Sequence, residues 1–174
     1  GLGVTEVGVA SRSESSARTL VAYAQELGMQ AQLAHDPDLA LAHCTLVVTT
    51  TSAQGVVMTQ NPRPDAFVSA VGAFTPKMVE WSADVCQHLA QLGLLVVDTR
   101  DADHEAGDLL QAGIDVTALP TLADMLRRQA TGKLSLNASA SKPQGPVFFK
   151  SCGWAGWDLA AARCLTTQTL SQGR

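Results

Sequence analysis

Apolar positions along this chain recur alternately with a period near two and a period of about 3.6 residues, and each switch marks an element boundary. Thr5–Ala10 (TEVGVA) is a short β-rich run. Ala17, Leu20, Val21, Ala24 and Leu27 then share one helical face, with Ser13 as N-cap and Gly28 as the stop. Met29–Leu33 reads as a second strand. Asp36 before Pro37 opens a short helix over Asp36–His43. Thr45–Thr51 (TLVVTTT) carries five β-branched residues after Leu46 and predicts a buried strand. Asn61–Pro64 is a loop, and Ala66–Val71 a strand ending at Gly72. Ser82 caps a helix with Val85, Cys86, Leu89 and Leu92 on one face, and Leu94–Asp98 is another buried strand. Asp101 caps a helix that turns Ala102, Ala106, Leu109 and Leu110 inward and stops at Gly113. A helix over Thr121–Gln129, a polar loop over Ala130–Gly145, a strand over Val147–Lys150 and a helix over Ala155–Leu170 complete the pattern.

Strands of four to seven residues thus alternate with helices of eight to sixteen. That order predicts βαβ crossovers in an α/β domain, with a mostly parallel sheet covered on both faces. No internal repeat interrupts it, and the 174 residues suffice for one core.

Charge narrows the function classes. The formal net charge is −4 and the twelve basic residues are scattered, which argues against a nucleic-acid surface. No apolar run reaches the roughly 20 residues of a membrane span, and no signal-peptide pattern opens the chain. Cys44, Cys86, Cys152 and Cys164 form no CxxC pair and stand at no zinc-ligand spacing from His35, His43, His88 or His104. The expectation is four reduced thiols, no metal site and a cytoplasmic location.

Open parallel sheets bind ligands beyond the carboxyl ends of their strands. Those ends carry small and hydroxylated residues here: Ser11-Arg12-Ser13, Thr49-Thr50-Thr51-Ser52, Val71-Gly72-Ala73 and Asp98-Thr99-Arg100. Such residues let a backbone approach a ligand closely and offer hydrogen bonds, although turn chemistry and helix capping would select the same types. Arg12, after a strand that reads as the second of a nucleotide-binding sheet, suits a ribose 2′-phosphate through charge-assisted bonds; a solvated surface arginine is the alternative. The strand and GxGxxG turn that open a dinucleotide fold are not found, since Gly1-Leu2-Gly3 follows no strand. The expectation is a chain that starts after the phosphate loop.

The motif order resembles the ornithine cyclodeaminase and mu-crystallin family. The likeness rests on Val9-Ala10-Ser11-Arg12, Val47 to Ser52, Val68 to Ala73, Val96 to Thr99, His104 to Leu109, Phe149 to Gly153 and Asp158 to Ala162. The resemblance implies a Rossmann-like, doubly wound sheet lacking its first strand and phosphate loop. Residues 1–174 would form the NAD(P)-binding domain, with 146–174 a C-terminal strand–helix segment and the substrate and dimerisation domain lying outside this chain. It also implies NADP(H) or NAD(H) as cofactor, a cyclic imino acid as substrate and a homodimer as the full-length form.

Within that resemblance Ser11, Arg12 and Ser13 would hold the adenosine ribose or its phosphate. Thr49, Thr50 and Thr51 would line the cofactor's path, and Val71, Gly72 and Ala73 would lie near the nicotinamide ribose. Lys150, Ser151 and Gly153 would close the nicotinamide side, with a surface lysine after an edge strand as the alternative reading of Lys150. Asp158 reads as a favourable charge early in the last helix. Ornithine cyclodeaminases carry an acidic residue close after the glycine matched by Gly72. Phe74 stands there instead and cannot transfer a proton, so the run VGAFTPKMVE resembles the subgroup that reduces Δ1-pyrroline-2-carboxylate and Δ1-piperideine-2-carboxylate. An ornithine cyclodeaminase and a non-catalytic, crystallin-like NADP-binding protein are the alternatives.

Overall fold

A computed structural model describes residues 3–52, 55–132 and 145–172, and side chains to 166. The elements run β1 (Glu6–Val9), α1 (Glu14–Glu26), β2 (Gln30–Leu33), α2 (Pro37–Leu41), β3 (Leu46–Thr49), β4 (Phe67–Ala70), α3 (Ala83–Leu92), β5 (Leu94–Val97), α4 (Ala102–Glu105), α5 (Gly107–Gln111), α6 (Leu122–Ala130), β6 (Val147–Lys150) and α7 (Ala155–Gln172). Every strand pairing among them is parallel. The strands form two sheets, β1–β2 and β3–β4–β6–β5. β1 and β3 each have one edge without a ladder partner among the described residues.

Several local expectations hold. Ser13, Asp36 and Ser82 cap their helices with side-chain acceptors. Thr121, expected only as the start of a helix, proves to be its N-cap and forms a reciprocal capping box with Asp124. Gly28 and Gly113 take positive φ at the helix stops. The helix expected from Asp101 differs. Asp101 makes no side-chain cap, and the segment divides into α4 and α5 at Ala106. The backbone runs close there: a Cβ on Gly107 would collide with the carbonyl oxygens of Thr75 and Met78. The short helices α2, α4 and α5, of four to five residues, fall below the expected length, and α7, at 18, exceeds it.

In the four-stranded sheet the register aligns Thr49, Ala70, Lys150 and Val97 as one row at the carboxyl ends. Their face also carries Val68, Phe148 and Leu95, all buried, under Val85, Cys86 and Leu89 of α3 and Leu109 of α5. Trp81 meets Phe148 edge to face, with centroids 5.6 Å apart. The opposite face is open over β3 and β4, where Leu46, Val48 and Phe67 are exposed. The expectation of cover on both faces holds over β5, where Leu95, Val96 and Val97 are all buried, and fails over β3, expected as a buried strand. Helices α3 to α5 supply one layer, and β3 is an edge strand with only Thr49 buried. Leu20 of α1, Leu27 at its C-cap and Leu92 of α3, expected on the apolar helical faces, are likewise exposed.

Candidate functional site

The carboxyl ends of β3 to β6 are held by three buried carboxylates. Glu80, in the segment between β4 and α3, is fully buried. Its Oε1 accepts the Thr51 N–H at 2.7 Å, and its Oε2 accepts the Gly72 N–H at 3.0 Å and the Thr49 hydroxyl at 2.9 Å. The Thr49 hydroxyl in turn accepts the Trp81 indole N–H at 3.2 Å, which fixes its own proton toward Glu80. One carboxylate therefore ties the end of β3 to the end of β4. Gly72 is required by that proximity: a Cβ there would overlap the Thr51 N and O and the Glu80 Oε1.

Asp108, at α5, accepts the backbone N–H groups of Glu80 (2.5 Å) and Trp81 (2.9 Å) through Oδ1. Its Oδ2 lies 3.0 Å from the Lys150 Nζ, with both side chains wholly buried. That contact is an ion pair without hydrogen-bond alignment. Asp98, after β5, holds the turn after β6. Its Oδ2 accepts the Ser151 hydroxyl (2.8 Å), the Cys152 N–H (2.8 Å) and the Gly153 N–H (3.0 Å), while Oδ1 accepts the Thr99 N–H (2.7 Å). Two thiols lie beside these charges. Burial, reinforced by Asp108 and opposed by Lys150, pushes Cys86 up to about 12. Burial also pushes Cys152 up to about 12, opposed by Lys150 and reinforced by Asp98, Glu105 and Asp108.

The sequence-derived candidates divide into two groups. Ser11, Arg12 and Ser13 lie exposed after β1, and Ser13 accepts the Ser16 N–H at 3.4 Å as the cap of α1. Thr49, Thr51, Gly72, Lys150, Ser151 and Gly153 are gathered at the ends of β3, β4 and β6 with Glu80, Asp108 and Asp98 among them. Thr50 and Val71 are exposed on this edge, and Ala73 is buried. Lys150 is no surface lysine; its side chain turns inward to Asp108. Sequence reasoning missed Glu80 and Asp108 as anchors. The available signal was a lone carboxylate between apolar neighbours, Val79-Glu80-Trp81 and Gly107-Asp108-Leu109. Asp158 lies in the first turn of α7, as expected.

Exposed hydroxyls, an exposed guanidinium and a glycine-bearing edge fit the sugar and ring portions of a dinucleotide. The N–H groups of residues 51, 72, 152 and 153 point instead into the protein's own carboxylates, so they form no anion nest. A cavity of about 460 Å³ lies beyond the carboxyl end of β5, between Arg100, Leu119 and α6. Asp124 bridges Arg100 and Arg127 there at 2.6 and 2.9 Å. The Thr121 N–H and hydroxyl, ahead of those guanidinium charges, hold Asp124 below the usual carboxylate range. No group of His, Cys, Asp or Glu among the described residues could hold a metal ion, and no described helix is long and apolar enough to cross a membrane.

These features define an α/β protein with parallel sheets and a buried polar network under its carboxyl edge. The chain belongs to the ornithine cyclodeaminase/mu-crystallin family, whose model matches residues 1–173. It is 36% identical over 153 residues to Delta(1)-pyrroline-2-carboxylate reductase 2 of Burkholderia ambifaria, covering 88% of this chain and 44% of that protein. A Delta(1)-pyrroline-2-carboxylate/Delta(1)-piperideine-2-carboxylate reductase of Azospirillum brasilense is 36% identical over 118 residues, 68% of this chain and 33% of that protein. The chain thus spans less than half the length of these relatives. Among solved structures, the fold matches Thermococcus litoralis Delta(1)-pyrroline-2-carboxylate reductase in complex with NADH and L-proline. There the TM-score is 0.77 at 17% identity, over 97% of this chain and 51% of that one. An archaeal alanine dehydrogenase dimer with bound NAD matches with a TM-score of 0.73 at 22% identity, over 97% and 51%.

Proposed function

We propose that the protein carrying this chain reduces a cyclic imino acid, Δ1-pyrroline-2-carboxylate or Δ1-piperideine-2-carboxylate, with NADPH or NADH. The observation that carries this reading is the 36% identity, across 88% of the chain, to a Burkholderia ambifaria protein of that name. Phe74 supports reduction over deamination: it stands 52% exposed just past Gly72, where no proton can be transferred by its ring.

When bound, the reduced nicotinamide supplies a hydride to the C=N carbon. This chain's residues bind and orient. Ser11, Arg12 and Ser13 contact the adenosine ribose or its 2′-phosphate. Thr49 and Thr51 shape the end of β3 through Glu80, and Thr50 is exposed beside them. Val71, Gly72 and Ala73 approach the nicotinamide ribose, and Lys150, Ser151 and Gly153 bound the ring side. In this reading a strand bearing the phosphate loop would pair at the open edges of β1 and β3. The basic groups for the substrate carboxylate and the dimer contacts come from the remaining length that the relatives possess.

The test is NAD(P)H oxidation by the whole protein against a panel of cyclic imines, pyruvate with methylamine, and ornithine. Turnover with the cyclic imines and none with ornithine is expected. Ammonia release from ornithine at a rate matching imine reduction overturns the reductase reading in favour of a cyclodeaminase.

A further inference from the structure

The buried groups under the carboxyl edge carry an unbalanced charge. Glu80, Asp98 and Asp108 are each at most 3% exposed, and Lys150 is fully buried. Three carboxylates against one ammonium leave a formal excess of two negative charges. The hydrogen bonds argue for acceptor-only oxygens. Glu80 receives two N–H groups and a hydroxyl whose direction Trp81 fixes, and Asp98 receives three N–H groups and the Ser151 hydroxyl. The four groups are contiguous. Asp108 bonds the Glu80 N–H and pairs with Lys150, and the Asp98 N–H bonds the Lys150 carbonyl. Lys150 neutralises Asp108 and, among the described residues, leaves Glu80 and Asp98 without a buried cation of their own.

Burial makes this excess matter. Exposed charges are screened within about 8 Å in physiological salt, whereas buried ones are screened much less. The amides that could answer an anion are turned inward to the same carboxylates. The edge is therefore poor for an anion and favourable for a group that carries positive charge. A nicotinamide ring is such a group in only one of its two redox forms: neutral when reduced, cationic when oxidised.

We propose that Glu80 and Asp98 bias this edge toward the oxidised, cationic nicotinamide and so set the ratio of affinities for the two cofactor forms. The proposal rests on the dinucleotide-binding reading given above. It assigns the two carboxylates an electrostatic role in addition to tying the strand ends together.

The experiment measures dissociation constants of NADP+ and NADPH, and of NAD+ and NADH, for the whole protein by calorimetry. One buried charge acting over roughly 10–20 Å in an effective dielectric near 20 shifts an equilibrium about four- to fifteenfold. Glu80→Gln and Asp98→Asn should each weaken the oxidised form relative to the reduced form by about that factor. Asp65→Asn removes an equal but exposed charge, paired with Arg63 at 2.8 Å, and should leave the ratio within about twofold. A purely structural role would weaken both forms together, so an unchanged ratio in a folded Glu80→Gln or Asp98→Asn variant overturns the proposal. Asp98→Asn keeps the test open if Glu80→Gln does not fold. If the unaltered protein binds neither form, the dinucleotide reading itself fails and the proposal with it.

Discussion

Replacing Gly72 by alanine tests whether the junction between β3 and β4 is as tight as its hydrogen bonds imply. Gly72 has no positive φ, so the backbone itself would accept alanine. Such a change ordinarily stabilises by about 0.4–1 kcal/mol, through the unfolded chain. Here the added Cβ falls onto the backbone N and O of Thr51 and onto Glu80 Oε1. Two of those three atoms are backbone at the end of a strand, so they cannot swing aside. Overpacking costs about 1–3 kcal/mol. Moving Glu80 away also loosens its bonds to the Thr51 and Gly72 N–H groups, where charged hydrogen bonds contribute about 1.5–3 kcal/mol each. Outweighing the entropic gain, these effects predict a net loss of about 3–5 kcal/mol. At about 2–4 °C per kcal/mol for a chain of this size, the melting temperature falls by roughly 6–20 °C. Urea unfolding of the whole protein, followed by fluorescence of the buried Trp81, reads the change. Gly55→Ala, with open space around its Cβ, serves as the control and should be neutral or slightly stabilising. A Gly72→Ala protein within about 0.5 kcal/mol of the unaltered one would refute the packing argument.

Further outcomes follow from the same structure. Asp108→Asn strands the Lys150 ammonium in the core and should cost about 3–5 kcal/mol in urea unfolding, and adding Lys150→Met should recover most of it; a double variant as unstable as the single one would contradict the ion-pair account. Cys86 and Cys152, both raised to about 12 from a usual 9.0, should resist iodoacetamide at pH 8 while the exposed Cys164 reacts, as read by mass spectrometry of the labelled peptides. Because their folded pKa values lie above the unfolded ones, they contribute stability fully present below about pH 9 and lost as pH climbs toward 12, so unfolding at pH 10.5 should be easier than at pH 8. Arg12→Ala should weaken NADPH by about 1.5–3 kcal/mol and leave NADH nearly untouched in calorimetry, and equal losses for both would remove the 2′-phosphate role.

What could be read from the sequence was local. Caps at Ser13, Asp36 and Ser82, and stops at Gly28 and Gly113, follow from chemistry within four residues, and all appear as expected. Parallel pairing followed from the alternation of strand and helix patterns. Exposure did not follow, because a β-branched run such as Leu46–Thr49 has the same pattern at a sheet edge as at its centre. Position in the sheet is a tertiary fact. The division at Ala106 depends on Thr75 and Met78, some thirty residues away in sequence, crossing over Gly107. Thr49 and Gly72 were recognisable by type and place, and Lys150 and Ser151 only through the family resemblance; the reason for their geometry was not. Glu80 reaches Thr49 and Thr51 across 31 and 29 residues, and Asp108 reaches Glu80 and Trp81 across 28 and 27, which no local spacing encodes.

The central claim is hydride transfer from the nicotinamide to a cyclic C=N carbon, and isotope transfer tests it most directly. The whole protein is supplied with NADPH deuterated at the transferable C4 position and with Δ1-pyrroline-2-carboxylate, and the product is analysed by mass spectrometry. The account predicts proline carrying one deuterium at the carbon that was the imine carbon. Proline without deuterium, or no proline while NADPH remains unoxidised, would contradict it.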